Sequence, residues 1–244
     1  AYALGLLDSQ PAPPTLEVVL GAMEAAQKER TPEFVQGLSE EGFLARFLSS
    51  RLGSTTHISV LDGHGSACSV TCTNGEGSGV VVPGTGIHLN NVMGEEDLSP
   101  LGFHTHPPGR RMPSMMAPSV VLRDGEVELV LGSAGSNRIR SAILQTIVGV
   151  VDRGLSVREA VCAPRVHFEG GIVYHEPGLD PAHAGRATAG SGADGSGACS
   201  GEREVVRFHD LNLFFGGVQA VQRLPGGGLL GAGDPRRGGV AVVA

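Results

Sequence analysis

Apolar and polar residues alternate over residues 57–61, a pattern that predicts a β-strand with two different faces. Alternate positions would place His57, Ser59 and Leu61 on one face, and Ile58, Val60 and Asp62 on the other. A second strand is predicted over residues 67–73, and the turn-forming residues 62–66 between the two are suited to a hairpin. The pattern therefore predicts a β-hairpin early in the chain.

Further along, the apolar period changes to that of a helix. A helix is predicted over residues 137–153, with Gly154 at its end and one apolar face: Ile139, Ile143, Ile147 and Val150. A capping box from Ser156 to Glu159 starts a short helix that Pro164 closes. Further strands are predicted at residues 119–122, 127–131, 172–174, 220–223 and 229–230.

The first 54 residues are predicted to be helical and carry no candidate chemistry. Thr15 is the predicted N-cap of a helix whose apolar residues share one face: Leu16, Val19, Leu20, Met23 and Ala26. A second helix is predicted over residues 39–48. Residues 185–203 are almost entirely Gly, Ala and Ser with scattered charges, which predicts a mobile surface loop because such a segment buries little apolar surface.

Length and composition bound the class of protein. A chain of 244 residues with 41 % hydrophobic residues can bury a sizeable core in one or two domains. The formal net charge of -7, without a basic stripe, argues against a nucleic-acid surface. Strands, then a long and a short helix, then strands again favour half of a layered α+β sandwich over a doubly wound parallel fold.

Two local motifs resemble ligand sites but lack a necessary part. Residues 74–79 form a glycine-rich loop, yet neither Lys-Ser/Thr nor a helix follows it, as phosphate binding in a P-loop requires. His104 and His106 could both face one side of an extended segment, but no convincing third metal ligand accompanies them. We therefore expect a loop histidine pair and no metal.

The four cysteines do not have the spacing of a zinc ribbon. Cys68 and Cys72 share one face of a predicted strand, whereas Cys162 and Cys199 form no second short pair. We expect these cysteines to be small buried side chains.

The candidate for chemistry is a threonine at the start of the first strand. Thr55 and Thr56 follow a flexible segment, residues 52–54, and N-terminal nucleophile hydrolases keep a hydroxyl-bearing residue at such a position. When Thr55 is the first residue of a chain, its own α-amino group, with a pKa of about 7.7–8.0, can take the hydroxyl proton. An ordinary strand start is the alternative, because threonine favours strands. By residue type alone, Thr56 is a rival nucleophile.

Several stretches of the sequence resemble, in order, the small subunit of γ-glutamyltranspeptidases (γ-glutamyltransferases): residues 55–91, 113–118, 132–138, 163–165 and 231–236. The resemblance extends from Thr55 to the end of the chain and, more weakly, over the part before it. It implies the four-layer αββα sandwich of N-terminal nucleophile (Ntn) hydrolases, of which this chain would be the C-terminal half. Residues 1–54 would then be the helical tail of the large-subunit region, and residues 55–244 the small, catalytic subunit.

The resemblance also implies roles for particular residues. Thr55 would attack the carbonyl of Ser54 in self-cleavage and would afterwards be the catalytic nucleophile, in preference to Thr56. Thr73 would hold the nucleophile's oxygen in position, and the backbone N–H groups of Gly135 and Ser136 would form the oxyanion hole. The family usually has two glycines in the oxyanion hole, so Ser136 is tolerated only if its backbone angles do not require glycine.

Substrate binding is where the sequence departs from the family. The resemblance implies that Glu95 binds an α-amino group, with a longer reach than usual, and that Ser114 binds an α-carboxylate, although Met115 replaces a second serine. Asn74 would be the family's binding asparagine, displaced by one position. The arginine that normally grips the carboxylate belongs to the large subunit and is not in this chain.

The implied function is transfer or hydrolysis of a γ-glutamyl amide through a threonine acyl-enzyme, as in glutathione breakdown. It needs no cofactor and no metal, and it needs the large-subunit half of the same precursor as a partner. The segment between Met93 and Arg110 is shorter than the lid-bearing loop of the family, which favours hydrolysis over transfer. The alternatives are an acylase with another specificity (a β-lactam side chain or poly-γ-glutamate) and a non-catalytic paralogue. A periplasmic or extracellular location is implied by the resemblance, with the cytoplasm left open.

Overall fold

A computed structural model describes residues 7, 13–28, 55–95, 98–99, 102–105, 107–109, 111–112, 114–179 and 204–243. The helices in these ranges are α1 (Leu16–Lys28), α2 (Arg138–Val151) and α3 (Val157–Cys162). The strands are β1 (Thr55–Leu61), β2 (Ala67–Thr73), β3 (Ser119–Arg123), β4 (Glu126–Ala134), β5 (Val166–Glu169), β6 (Ile172–His175), β7 (Glu204–Arg207), β8 (Gly217–Arg223) and β9 (Leu229–Gly233). None of the described helices is long and apolar enough to cross a membrane.

Three layers are stacked in the part of the molecule that carries Thr55. The predicted hairpin forms, with β1 antiparallel to β2. It packs on one face of an antiparallel sheet with the strand order β3-β4-β8-β9, and α2 and α3 cover the opposite face. Ser59 Oγ donates to the Gln219 carbonyl at 3.0 Å, and Ser69 Oγ donates to the Leu131 carbonyl at 3.0 Å. These bonds fasten the hairpin to the sheet below it.

The main core lies between the sheet and the two helices. Buried side chains from β4 and β8 meet the apolar face of α2 and one side of α3: Leu129, Leu131, Val218, Ala220, Ile139, Ile143, Val150, Val157 and Val161. Ile147 is partly buried against the same cluster. The predicted apolar face of α2 is therefore confirmed, and so is the capping box of α3, in which Ser156 Oγ accepts from Glu159 N.

A second core lies beneath α1. Val19, Leu20 and Met23 of this helix pack against β5 and the buried side of α2. Thr15 caps the helix as predicted, because its Oγ1 accepts from Val18 N at 3.3 Å. β5 and β6 are antiparallel, and β7 runs parallel to β6. Two of these three strands, β5 and β7, were not predicted, because four residues each give too few positions to establish a period.

The outer face of the β1–β2 hairpin is apolar and open. Ile58, Val60 and Val70 are 55 %, 50 % and 40 % exposed, whereas His57 and Leu61 on the inner face are buried. The predicted alternation of β1 is thus confirmed. Within the described ranges, no layer covers the outer face of this hairpin.

The predicted burial of the cysteines is wrong for three of them. Cys68 and Cys72 do share one face of β2, but they are exposed, and Cys162 is exposed at the end of α3. The reason is that β2 turns Ser69, Thr71 and Thr73 towards the sheet and its cysteines outward. Cys199, the helix predicted over residues 39–48 and the loop predicted over residues 185–203 lie outside the described residues.

Candidate active site

Two threonine hydroxyls meet at the open end of the hairpin. Thr55, the first residue of β1, is the register partner of Thr73, the last residue of β2. Their Oγ1 atoms are 2.9 Å apart, and Thr73 Oγ1 also accepts a hydrogen bond from Gly75 N at 2.9 Å. Thr56 is exposed and points to the opposite face of the strand. The geometry therefore pairs Thr55, and not Thr56, with Thr73.

His57 anchors the strand that begins at Thr55. Its imidazole is 4 % exposed, with Nδ1 2.7 Å from Thr71 Oγ1 and Nε2 2.9 Å from Ser59 Oγ. Burial lowers its pKa from 6.5 to about 4, so the ring is neutral at pH 7. The ring lies directly over Gly132, where an added Cβ would come within 2.7 Å of His57 Nε2. This close approach ties the Thr55 strand to β4, which leads to Gly135.

The segment between β4 and α2 has the backbone of a tight turn. Gly135 has φ 130° and Ser136 has φ 52°. A Cβ on Gly135 would lie 2.7 Å from the Cα of Gly216, so only glycine fits there. The angle of Ser136 is in the left-handed region that glycine favours, and a serine there carries a cost of roughly 1 kcal/mol or more. Serine at position 136, where the family usually has glycine, is therefore accommodated with a strained backbone.

A buried ion network supports this turn from behind. Arg165 Nη2 lies 2.6 Å from Asp234 Oδ2, Arg236 Nη2 lies 2.5 Å from Glu176 Oε2, and Arg236 Nη1 lies 3.2 Å from Asp234 Oδ1. All four side chains are buried, and a buried charge is stable only when paired and hydrogen-bonded.

The network reaches the turn through the segment before β8. Arg165 Nη1 donates to the Phe215 carbonyl at 3.1 Å, and Glu176 Oε1 accepts from Asn212 N at 3.0 Å. This segment ends at Gly216, which packs on Gly135. In the sequence, residues 163–165 and 231–236 are separate motifs. Arg165 of the first motif and Arg236 of the second both pair with Asp234, and these opposite charges are the signal that the two motifs lie close together.

Of the residues predicted to bind substrate, Glu95 and Asn74 lie at the loop that follows Thr73, and Ser114 lies in a separate segment. Glu95 lies against the loop that follows Thr73, since a Cβ on Gly75 would come within 3.2 Å of Glu95 Cδ. Asn74 is in the same loop, where its carbonyl accepts from Gly77 N at 3.0 Å and Asn91 N at 3.1 Å. Ser114 is exposed, and its Oγ accepts from Met116 N at 3.2 Å within its own segment. The roles of these residues stay predictions, as does Ser54, which is outside the described ranges.

No group of three potential metal ligands occurs among the described residues. His104 is exposed in a loop, and His106 lies outside the described ranges, so the expectation about this pair stays a prediction.

The family profile of gamma-glutamyltranspeptidase matches residues 24–244, and the chain belongs to this family. The predicted family is thereby confirmed.

Two curated relatives show the range of the family. Over 190 residues the chain is 37 % identical to the Acylase ACY 1 proenzyme of a Pseudomonas species, covering 77 % of this chain and 32 % of that protein. Over 206 residues it is 36 % identical to the glutathione hydrolase proenzyme of Pseudomonas aeruginosa, covering 78 % of this chain and 34 % of that protein. The chain therefore spans about a third of the length of these relatives.

A solved structure confirms the fold. Gamma-glutamyltranspeptidase from Pseudomonas nitroreducens, complexed with L-DON, matches with a TM-score of 0.59 and 33 % sequence identity. The match covers 78 % of this chain and 99 % of that chain. The prediction of an α+β Ntn-hydrolase fold, with this chain as its C-terminal half, agrees with this similarity.

Proposed function

We propose that this chain is the catalytic part of a γ-glutamyltranspeptidase-like enzyme that cleaves itself before Thr55 and then transfers or hydrolyses a γ-glutamyl amide. The observation that carries the proposal is the 2.9 Å contact between Thr55 Oγ1 and Thr73 Oγ1 at the open end of a hairpin. Membership of a family whose relatives include a glutathione hydrolase proenzyme supports it.

The first reaction in the proposal is self-cleavage. Thr55 Oγ1 attacks the carbonyl carbon of Ser54, the peptide C–N bond breaks, and the acyl group moves from nitrogen to oxygen to give an ester. Water then hydrolyses the ester, which leaves a carboxylate on Ser54 and a free α-amino group on Thr55. That amine becomes the general base for the second reaction.

In the second reaction Thr55 Oγ1 attacks the amide carbonyl of the substrate. The α-amino group takes the hydroxyl proton and passes it to the leaving amine, and the N–H groups of Gly135 and Ser136 stabilise the oxyanion. Water or an acceptor amine resolves the acyl-enzyme. Substrate contacts in this proposal are Glu95 to an α-ammonium group and Ser114 to an α-carboxylate, with Asn74 as a further substrate-binding residue.

A second candidate is an acylase with a different acyl group. The relative at 37 % identity is named an acylase proenzyme, and Met115 occupies a position where the resemblance implies a second carboxylate-binding serine. A thioether offers no hydrogen-bond donor of useful strength to a carboxylate. An acyl group without an α-carboxylate would tolerate Met115 better than a γ-glutamyl group does.

The proposal includes a partner, the upstream half of the same precursor. We place the boundary at Thr55, with residues 1–54 as the tail of the large-subunit region and residues 55–244 as the small subunit. The open apolar face of the hairpin, with Ile58, Val60 and Val70, is suited to burial against that half.

The first test is intact mass with N-terminal sequencing of the natural full-length precursor. We expect a chain that starts at Thr55. Thr55→Ala should stay uncut, whereas Thr56→Ala, the matched control, should still be cleaved. A wild-type precursor that stays uncut and has no activity after forced cleavage at this bond would mean that the fold has been kept without catalysis.

The second test sets the acyl specificity of the cleaved enzyme. A γ-glutamyl anilide is assayed with and without an acceptor dipeptide, next to an anilide of the same length without the α-carboxylate. Preference for the γ-glutamyl anilide supports the first candidate, and preference for the truncated anilide supports the acylase. Acceptor-driven product well in excess of hydrolysis would contradict the expectation that the short 93–110 segment favours water.

A further inference from the structure

The glycine-rich loop after Thr73 is held from outside by two side chains, Asn91 and His88. Gly75, Gly77 and Gly79 have φ angles of 67°, 83° and 75°, conformations that glycine adopts readily and leaves as readily. Within the loop, Gly77 N donates to the Asn74 carbonyl at 3.0 Å. The loop's further contacts come from residues that follow later in the chain.

Asn91 binds the middle of the loop. Its Oδ1 accepts hydrogen bonds from Glu76 N at 2.8 Å and Gly77 N at 3.1 Å. Its own backbone N donates to the Asn74 carbonyl at 3.1 Å. One asparagine thus holds both the beginning and the middle of the loop.

His88 binds the end of the loop. Its Nε2 accepts from Gly79 N at 3.0 Å, and its ring lies over Gly77, where an added Cβ would come within 2.9 Å of Nε2. An antiparallel bridge between Val81 and His88, with Leu89 N donating to the Val80 carbonyl at 2.9 Å, holds the histidine at this place. His88 Nε2 therefore acts in this loop as a hydrogen-bond acceptor for a backbone amide.

The loop leads directly to the nucleophile. Gly75 N donates to Thr73 Oγ1 at 2.9 Å, and Thr73 Oγ1 lies 2.9 Å from Thr55 Oγ1. Thr73 Oγ1 is thus held between Gly75 N, from which it accepts, and Thr55 Oγ1, with which it shares a hydrogen bond in which either hydroxyl can donate.

We propose that Asn91 and His88 are positioning residues that set Gly75 N, and through it the position of Thr73 Oγ1 beside Thr55 Oγ1. The proposal rests on the proposed function, because it assigns the pair a part in the reactions of Thr55. Neither residue touches the reacting atoms. Their loss should slow the attack by Thr55 without weakening substrate binding.

The test compares variants that remove the acceptor with variants that keep one. Asn91→Ala and His88→Leu should each lower the rate of self-cleavage and kcat by about 10-fold or more, with KM changed by less than about 2-fold, because small misplacement of a reacting group is costly. His88→Gln and Asn91→Asp keep an acceptor and should recover most of the rate. Asn90→Ala is the matched control, since among the described residues Asn90 Oδ1 accepts from Val92 N at 3.2 Å and makes no contact with the loop, and it should match the wild type.

A second readout separates this inference from the proposed function. Amide hydrogen exchange is measured at Glu76, Gly77 and Gly79 in the uncut Thr55→Ala precursor, with and without Asn91→Ala or His88→Leu. Faster exchange confined to the loop supports the inference even if the wild-type enzyme proves inactive, in which case only the proposed function fails. Unchanged exchange, or a rise in KM at constant kcat, would overturn it.

Discussion

At the residue scale, the environment of a side chain decides its chemistry more than its type does. Thr55 and Thr56 are the same residue in neighbouring positions, yet only Thr55 faces Thr73. His57 is a histidine two residues from the candidate nucleophile, but its neutral ring is enclosed between the hairpin and β4 and bonds to Thr71 and Ser59. We therefore regard His57 as structural.

The burial of His57 predicts how stability depends on pH. Because its folded pKa of about 4 lies below the ordinary 6.5, the unfolded chain binds more protons between these values. The free energy of unfolding should therefore fall as pH falls from about 6.5 towards about 4, with a slope from this residue approaching about 1.4 kcal/mol per pH unit. Above pH 6.5 the residue adds no slope.

Urea unfolding at a series of pH values checks this prediction. His57→Gln, which keeps hydrogen-bonding groups, should remove this part of the slope. Burial also lowers the pKa of His167, so a smaller slope of the same sign should remain. If the free energy of unfolding has the same pH slope in the wild type and in His57→Gln, the folded and unfolded chains bind a proton at His57 equally well, which contradicts the prediction.

At the scale of elements, the closeness of two strands from different layers depends on a glycine. β1 and β4 approach where His57 lies over Gly132, and no side chain fits between them. The hydrogen bonds that the Ser59 and Ser69 hydroxyls donate to carbonyls of the sheet also require the hairpin to lie close to the sheet.

Gly132→Ala should lift the hairpin from the sheet and destabilise the protein by roughly 1–3 kcal/mol, as overpacking of a filled core does. Thermal unfolding without a substrate analogue would measure the loss of stability. The same measurement with the analogue would show whether the lifted hairpin has disturbed the site at Thr55. Gly228→Ala is the matched control, because its added Cβ would meet only Leu224 Cδ1 at 3.8 Å. If His57 is the obstacle, His57→Ala should recover part of the loss in the double variant.

At the scale of the whole molecule, the outermost described layer, the β1–β2 hairpin, has an exposed apolar face. In the described ranges a hairpin, a sheet and a helical layer are stacked, and the hairpin's outer side chains have no cover. Soluble proteins rarely leave a contiguous apolar face open. This supports the proposal that the upstream half of the precursor packs there.

Ile58→Lys combined with Val60→Lys should prevent association with a separately produced upstream half, because charges in an apolar interface are costly. Co-purification and analytical ultracentrifugation measure the loss, which we expect to exceed about 10-fold in affinity. Val151→Lys, at the end of α2 and 37 % exposed, is the control and should associate normally. Equal association of both variants would place the partner elsewhere.

Prediction from sequence succeeded where the pattern repeats locally. The faces of β1, the apolar face of α2, the Thr15 cap and the capping box at Ser156 all depend on residues within a few positions of each other. It failed for β5, which is only four residues long, and for the cysteines of β2. Which face of β2 is covered depends on layers formed by distant parts of the chain.

The sequence by itself determined the family and the elements with a clear period, because these are written in ordered motifs and local alternation, and it predicted Thr55 as the nucleophile. Only the tertiary structure decided that Thr55 meets Thr73, that Arg165 and Arg236 share buried carboxylates, and that Asn91 and His88 hold the loop beside them. Each of these contacts joins residues whose separation along the chain carries no periodic signal. They exist because the hairpin, the sheet and the helices pack in one arrangement, and that packing sets the distances on which the chemistry depends.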